Sequence, residues 1–525
     1  MRIVILFFIA ALSVFATSCS DSNLHIKTNK ETLWWVGVIN QGSMMPYGST
    51  DKLEMDLYAH PDGNQVNPLI LSNQGDVIWS DYPPKISFKN GEIIVDAKGQ
   101  AIHTKAGTTL KEAYEFASEN YFPPSGKTPD MSLISAPQYN TWIELMYDQN
   151  QKDILKYANA IINNGYPPGV LMIDDNWQEN YGKWNFHPGR FPDPKMMMDS
   201  LHKMGFKVML WVVPFVSPDC DVYRKLETEE LLMKNTDGQA AMVRWWNGVS
   251  ALLDLSNPGA ADWFFDEMNR LVNEYDVDGF KLDAGDAEFY VGLKSYLDIL
   301  PDDHTVLWGE IGLRYPLNEY RAMYKMGGQP LVERLRDKAH SWDDVKKLIP
   351  NMLLQGINGY VFGCPDMIGG GEFTSFLEGS VIDEEMIVRS AQIHALMPMM
   401  QFSVAPWRIL NEENHQAVKK AVATRMKFAD YIVRLTEVAA KTNQPVIRYL
   451  EYTYPHQGYT GIIDEFLLGD SVLVAPVVEK NMFKRKLILP KGEWKYIDGK
   501  KYKGPAEIEV DAPLDVLPYF VKINK

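Results

Sequence analysis

Two hydrophobic periods alternate through the middle of this 525-residue chain. Unbroken apolar runs such as Gly169–Ile173 read as buried strands. Segments with apolar residues three or four apart, such as Ile154, Leu155, Ala158, Ile161 and Ile162, read as helices. Further strands are predicted at Lys207–Val213, Val277–Asp283, Thr305–Trp308, Gly359–Phe362 and Leu396–Phe402, with a helix over Ala261–Tyr275. Repeated strand-then-helix units from 135 to 410 predict an α/β fold, a (β/α)8 TIM barrel. A doubly wound sheet is the competing arrangement, but no Gly-x-Gly-x-x-Gly follows a strand.

The flanks carry a different pattern. Residues 24–130 show short apolar runs, Trp34–Ile39 and Lys85–Phe88 among them, separated by turn pairs such as Asn90-Gly91; this predicts an N-terminal β-sandwich. A helical connection over 411–445 precedes a small C-terminal β domain over 446–525. Residues 1–19 read as an export signal. Arg2 supplies the positive start, Ile3 to Ala16 is apolar apart from Ser13, and Thr17-Ser18 leads to Cys19. Small residues before a cysteine and polar ones after it are expected at a bacterial lipoprotein cleavage site. The expected location is therefore the periplasm or outer membrane, with a lipid at Cys19 as the membrane contact; plain secretion is the alternative. No later segment reaches 18 consecutive apolar residues.

Composition narrows the function. With 46% hydrophobic and 23% charged residues the chain is of ordinary globular type. A net charge of −16 disfavours a nucleic-acid partner. Three cysteines, Cys19, Cys220 and Cys364, make neither a disulfide framework nor a zinc motif, and no metal or organic cofactor is expected. There is no His-Glu-x-x-His, Walker A loop or Gly-x-Ser-x-Gly elbow; His340 and His394 stand isolated, and Gly369–Gly371 reads as a tight barrel loop.

What ends the strands is more informative. Asp174-Asp175, Asp283 and Asp366 each follow an apolar run, at the barrel end where active sites form. A single Asp there can be a helix N-cap. Several at corresponding positions suggest paired carboxylates, for which glycoside hydrolysis is the leading chemistry.

These residues resemble glycoside hydrolase family 31 over nearly the whole chain. The similar segments are Ile70–Ser80, Phe191–Pro194 with Leu201–Trp211, Asp278–Asp286, and Asp464–Asp470 with Val474–Pro476. The resemblance implies that Asp283 is the nucleophile and Asp337 the general acid/base. It implies that Asp174 binds a sugar hydroxyl, and that Arg334 lies near a family arginine. The family's Trp-x-Gly-Asp-Asn is here Arg334-Leu335-Arg336-Asp337-Lys338, and its His-Asp-Ile-Gly-Gly is here Asp366-Met367-Ile368-Gly369-Gly370. These departures resemble the branch that includes bacterial α-galactosidases. Asp174, Asp175, Lys281, Arg334 and Asp366 are then expected to position the sugar, with Lys281 in an ion pair as its other reading. Trp177, Trp211 and Trp308 are candidates for the pocket wall or for core packing. The resemblance implies a retaining exo-α-glycosidase for oligosaccharides or glycosides, with α-galactoside as the expected substrate. An α-glucoside or α-xyloside enzyme and a non-catalytic sugar-binding surface protein are the alternatives.

Overall fold

The computed structural model describes residues 22–523; residues 1–19, where an export signal is expected, lie outside them, Cys19 included. Eight parallel strands form the barrel: β1 Gln138–Asn140, β2 Val170–Ile173, β3 Lys207–Val212, β4 Gly279–Leu282, β5 Leu317–Tyr320, β6 Glu333–Arg334, β7 Gly363–Cys364 and β8 Gln401–Phe402. β8 pairs with β1, and a parallel bridge from Met367 to Gln401 closes the ring after β7. β2 is wholly buried and apolar, as its sequence requires for a strand covered on both faces.

Crossover helices follow the strands: Gln151–Asn163, Pro194–Lys203, Pro258–Tyr275, Pro301–Gly312, Trp342–Gly356 and Glu384–Ala395. Most start on an explicit cap, for example the Asn150 side chain accepting from the Asp153 N–H at 2.9 Å. Between β5 and β6 the link has no helix. It contains the strand Met323–Tyr324, which pairs in parallel with Gln65 and Val66 of the N-terminal region. The helix Glu412–Thr442 then leads to a six-stranded antiparallel sheet built from Ile447 to Lys522.

The N-terminal region holds two sheets. In one, the strands Lys85–Lys89 and Glu92–Ala97 are joined at Asn90-Gly91, whose φ values of 55° and 75° fit the expected two-residue turn. This region also contains a helix, Leu110–Tyr121, where β structure was expected. Its signature is a capping box: Thr109 accepts from the Glu112 N–H, and the Glu112 carboxylate accepts from the Thr109 N–H.

Three barrel expectations need correction. Thr305–Trp308 lies inside the helix Pro301–Gly312, because Pro301 at its start and Asp302 and Asp303 in its first turn favour a helix over a β-branched strand. The true fifth strand was missed because Asn318 and Glu319 interrupt its apolar pattern. Gly359–Phe362 and Leu396–Phe402 both begin before their strands; Gly359 has φ 84° in a turn, and Leu396 ends the preceding helix.

Candidate active site

A cavity of about 470 Å³ opens at the C-terminal ends of the strands, within the usual range of roughly 300–1,000 Å³ for small-molecule sites. Asp174, Asp175, Trp211, Lys281, Asp283 and Asp337 all line it. So do Trp142, Tyr147, Trp246, Arg321 and Arg336, which the sequence pattern did not single out.

Asp283 follows β4 directly and is held from several sides. Its Oδ2 accepts from the Trp211 indole N–H at 3.0 Å. Its Oδ1 accepts from Arg321 Nε at 3.2 Å and from the Ala284 N–H at 2.8 Å. Burial alone would raise this carboxyl, but Arg321, Lys281 and Arg334, together with the Trp211 bond, hold it well below the usual carboxylate range. It is therefore an ionised, pre-oriented carboxylate at neutral pH. Arg321, just past β5, is fixed in turn by a bidentate pair with Asp286, at 2.9 and 2.7 Å.

Asp174 and Asp175 sit at the end of β2. The Asp174 carboxylate accepts from Lys281 Nζ at 2.7 Å, both side chains being almost fully buried. Lys281 thus does form an ion pair with a barrel carboxylate, while still facing the cavity. Burial would lower it, yet Asp174 first, and Asp283 and Glu319 as well, raise it and keep it charged. Asp175 accepts from the Tyr181 hydroxyl at 3.2 Å and from the Asn247 amide. Burial, with the Asp174 charge beside it, pushes Asp175 up to about 7.

Asp337 lies three residues past β6 and is far more open: its side chain is 43% exposed against 12% for Asp283. Arg334 Nη1 donates to Asp337 Oδ1 at 2.7 Å and to Asp366 Oδ1 at 2.6 Å. Arg334 and Asp366, expected to position the sugar, are both fully buried behind Asp337. The bonds they make here are to protein groups, because the chain after β7 folds back over them.

Trp177 and Trp308, both candidates for the pocket wall, belong to the core. Trp177 donates to the Trp211 carbonyl at 2.8 Å and packs on Trp184 and Phe186. Trp308 packs edge-on against Phe264 and Tyr320 from the helix outside the barrel. Both rings bury completely, the ordinary fate of a large apolar surface. The aromatic groups that do reach the cavity, besides Trp211, come from the segments that follow the strands. Trp246, half exposed, stands at the tip of the hairpin formed by Met242–Trp245 and Gly248–Leu252, with the Arg321 guanidinium 5.4 Å from its ring. The Trp245-Trp246-Asn247-Gly248 stretch was its legible mark, two indoles beside a turn pair.

The N-terminal region takes part directly. The Gly63 carbonyl accepts from Arg321 Nη1, Asn64 accepts from the Arg336 N–H at 3.1 Å, and the Gln65 amide donates to the Arg321 carbonyl at 2.5 Å.

Two family models match the chain: "Glycosyl hydrolases family 31 TIM-barrel domain" over residues 134–329 and "Glycosyl hydrolase family 31 C-terminal domain" over 443–525. Among curated proteins, the myogenesis-regulating glycosidase of Mus musculus is 30% identical over 78% of this chain and 59% of its own length. Alpha-glucosidase 2 of Bacillus thermoamyloliquefaciens is 24% identical over 89% of this chain and 63% of its own. The chain thus spans about three fifths of these two relatives. Among solved structures, a dextranase of Flavobacterium johnsoniae complexed with glucose superposes with a TM-score of 0.84 at 21% identity, covering 98% of this chain and 68% of the other. An alpha-xylosidase from a soil metagenome, complexed with xylose, gives 0.82 at 20% identity, covering 96% and 80%.

Proposed function

We propose that this chain, which belongs to glycoside hydrolase family 31, is a retaining, exo-acting α-glycosidase that removes terminal α-galactosyl units. The observation that carries the enzymatic reading is Asp283: an ionised carboxylate, clamped by Arg321 and Trp211, lining a cavity that Asp337 also lines.

In the first step Asp283 attacks the anomeric carbon while Asp337 gives its proton to the glycosidic oxygen. The carbon–oxygen bond breaks, an alcohol leaves, and a glycosyl ester of Asp283 remains. In the second step Asp337 takes a proton from water, whose oxygen attacks the same carbon and frees the Asp283 carboxylate. Two inversions retain the configuration, and the two carboxyl groups are expected about 5–5.5 Å apart.

The galactoside reading rests on Asp174 and Asp175, adjacent buried carboxyls that suit two neighbouring hydroxyls such as O4 and O6. Buried polar groups left unpaired by the wrong epimer discriminate strongly. The α-glucosidases and α-xylosidases among the relatives favour an α-glucoside or α-xyloside as the second reading. A sugar-binding protein without turnover would have no use for Asp283 and Asp337. The proposed location, an exported lipoprotein, rests on Arg2, Ile3–Ala16 and Cys19 alone.

Hydrolysis of 4-nitrophenyl α-galactoside, α-glucoside, α-xyloside and α-N-acetylgalactosaminide, with the β-galactoside as control, tests both levels. Turnover of the α-galactoside alone is expected, and its loss in Asp283→Asn. Turnover of another α-sugar would keep the mechanism and overturn the reading of Asp174 and Asp175. Full turnover by Asp283→Asn would overturn the mechanism.

A further inference from the structure

The wall behind Asp337 holds more carboxyl groups than one general acid needs. Arg334 is the centre of it. Its Nη1 is shared by Asp337 and Asp366, and its Nε lies 3.4 Å from Glu319 Oε1. Asp366 is wholly buried, with φ 79°, and its other oxygen accepts from the N–H groups of Lys338 at 2.8 Å and Gly371 at 3.0 Å. Gly371 is what lets the two acids share one nitrogen: a Cβ there would stand 2.8 Å from Asp366 Oδ1 and 3.0 Å from Asp337 Oδ1.

The arrangement has an electrostatic consequence. An arginine paired with a single carboxylate favours its ionised form, which is unhelpful in a group that must donate a proton. A second carboxylate on the same nitrogen opposes that pull. We propose that Asp366 is the positioning residue for proton transfer: it takes up part of the Arg334 charge, so that Asp337 is oriented by the guanidinium and still carries the proton it delivers. This rests on Asp337 being the acid/base. The other charged groups around the pair are Arg336 and Lys338 on the same loop, Glu319 and Arg321 from β5, Lys281 and Asp283 from β4, and Glu372 from the loop after β7. Asp344 and Lys347 act on Lys338 from the helix Trp342–Gly356, and the Cys364 thiol adjoins Asp366. Burial first, and then the Asp337 charge, push the Asp366 carboxyl up to about 7 against the pull of Arg334.

Asp366→Asn keeps the shape and an accepting oxygen but removes the charge. The test is the pH dependence of kcat/KM for the 4-nitrophenyl and methyl glycosides of whichever α-sugar the wild type hydrolyses. In Asp366→Asn the alkaline limb is expected to move down by one pH unit or more. At pH 7 the methyl glycoside should lose at least tenfold more than the nitrophenyl glycoside, whose leaving group needs less protonation. Asp366→Ser, which also removes the charge and leaves Gly371 in place, should move the same limb the same way. An unmoved limb, or equal losses on both glycosides, would overturn the proposal; should Asp366→Asn show no cooperative thermal unfolding, Asp366→Ser decides alone. Wild-type turnover of the methyl glycoside by Asp337→Asn would instead overturn Asp337 as the acid, a result that the other two variants cannot mimic.

Discussion

The two halves of the barrel are built differently. β1 to β5 run for three to six residues and are separated by helices up to the end of β4 and its crossover. β6, β7 and β8 have two residues each, and no helix joins β5 to β6. The first half is held by its own ladder and by apolar burial. In the second, β6 and the segment that leads to it from β5 are held by polar side chains of the N-terminal region, where Gln65 bonds to Arg321, Glu333 and Arg334 and Asn64 to Arg334 and Arg336. The proposed nucleophile, buried and fixed by three donors, stands on the first half. The proposed acid/base, more exposed and fixed through one arginine, stands on the second. The group that must stay charged and still thus belongs to the self-supporting half, and the group that must exchange protons with water belongs to the half that depends on another region.

Three measurements bear on that contrast. The largest effect is expected from the two acids: Asp283→Asn should lower kcat by about 10⁴-fold or more on every substrate. Asp337→Asn should lower it by about 10²–10⁴-fold on poor leaving groups and much less on nitrophenyl glycosides. Equal losses for both variants on both substrates would dissolve the distinction between the halves. Next, Asn64→Ala and Gln65→Ala should each reduce kcat about tenfold with KM little changed, the size expected from losing alignment of one group. A rise in KM alone would show that the N-terminal region serves binding instead. The smallest effect concerns Glu333, buried in β6 beside Gln65. Burial first, and Glu319 after it, raise its carboxyl well above the usual range despite the Gln65 bond. A raised folded value means that stability is fully present below the unfolded value, about 4.3, and is lost as pH rises toward the folded one. Asp175 and Asp366, both pushed up to about 7, add to the same slope. The wild-type Tm should therefore lose ground, from pH 5 to pH 8, to that of a variant without the Glu333 carboxyl. Glu333→Gln should match it at pH 5 and exceed it by a few degrees at pH 8, roughly what 1 kcal/mol is worth in a large domain; parallel curves would assign the slope elsewhere.

The same contrast explains what the sequence disclosed. β2, β3 and β4 announce themselves, because strands buried on both faces need continuous apolar runs, and Asp174 and Asp283 mark where the runs meet the cavity. β5 is silent because Glu319 points at Arg334 and Gln401 inside the barrel, so its pattern looks like a loop. With β5 unseen, Arg321 could not be recognised as a strand-end residue. Two-residue strands leave no period to read, which is why β7 and β8 were placed early. Trp177 and Trp308 carry no mark that separates a platform from a core ring; their neighbours decide. Asp366 illustrates the opposite limit. Its position after β7 was legible, but its burial depends on Gly371 folding back, a contact no local pattern encodes.

The bond between Asn64 and Arg336 spans 272 residues, and that between Gln65 and Arg321 spans 256. During synthesis the first partner emerges long before the second exists, and such distant contacts form slowly. The pocket therefore cannot close on its N-terminal wall until the second half of the barrel has been made, and the N-terminal sheets are no interchangeable cassette. A chimera that exchanges them with those of a relative inherits a barrel whose sixth strand, with the segment that leads to it, has lost its brace, unless Gly63, Asn64 and Gln65 travel with the barrel.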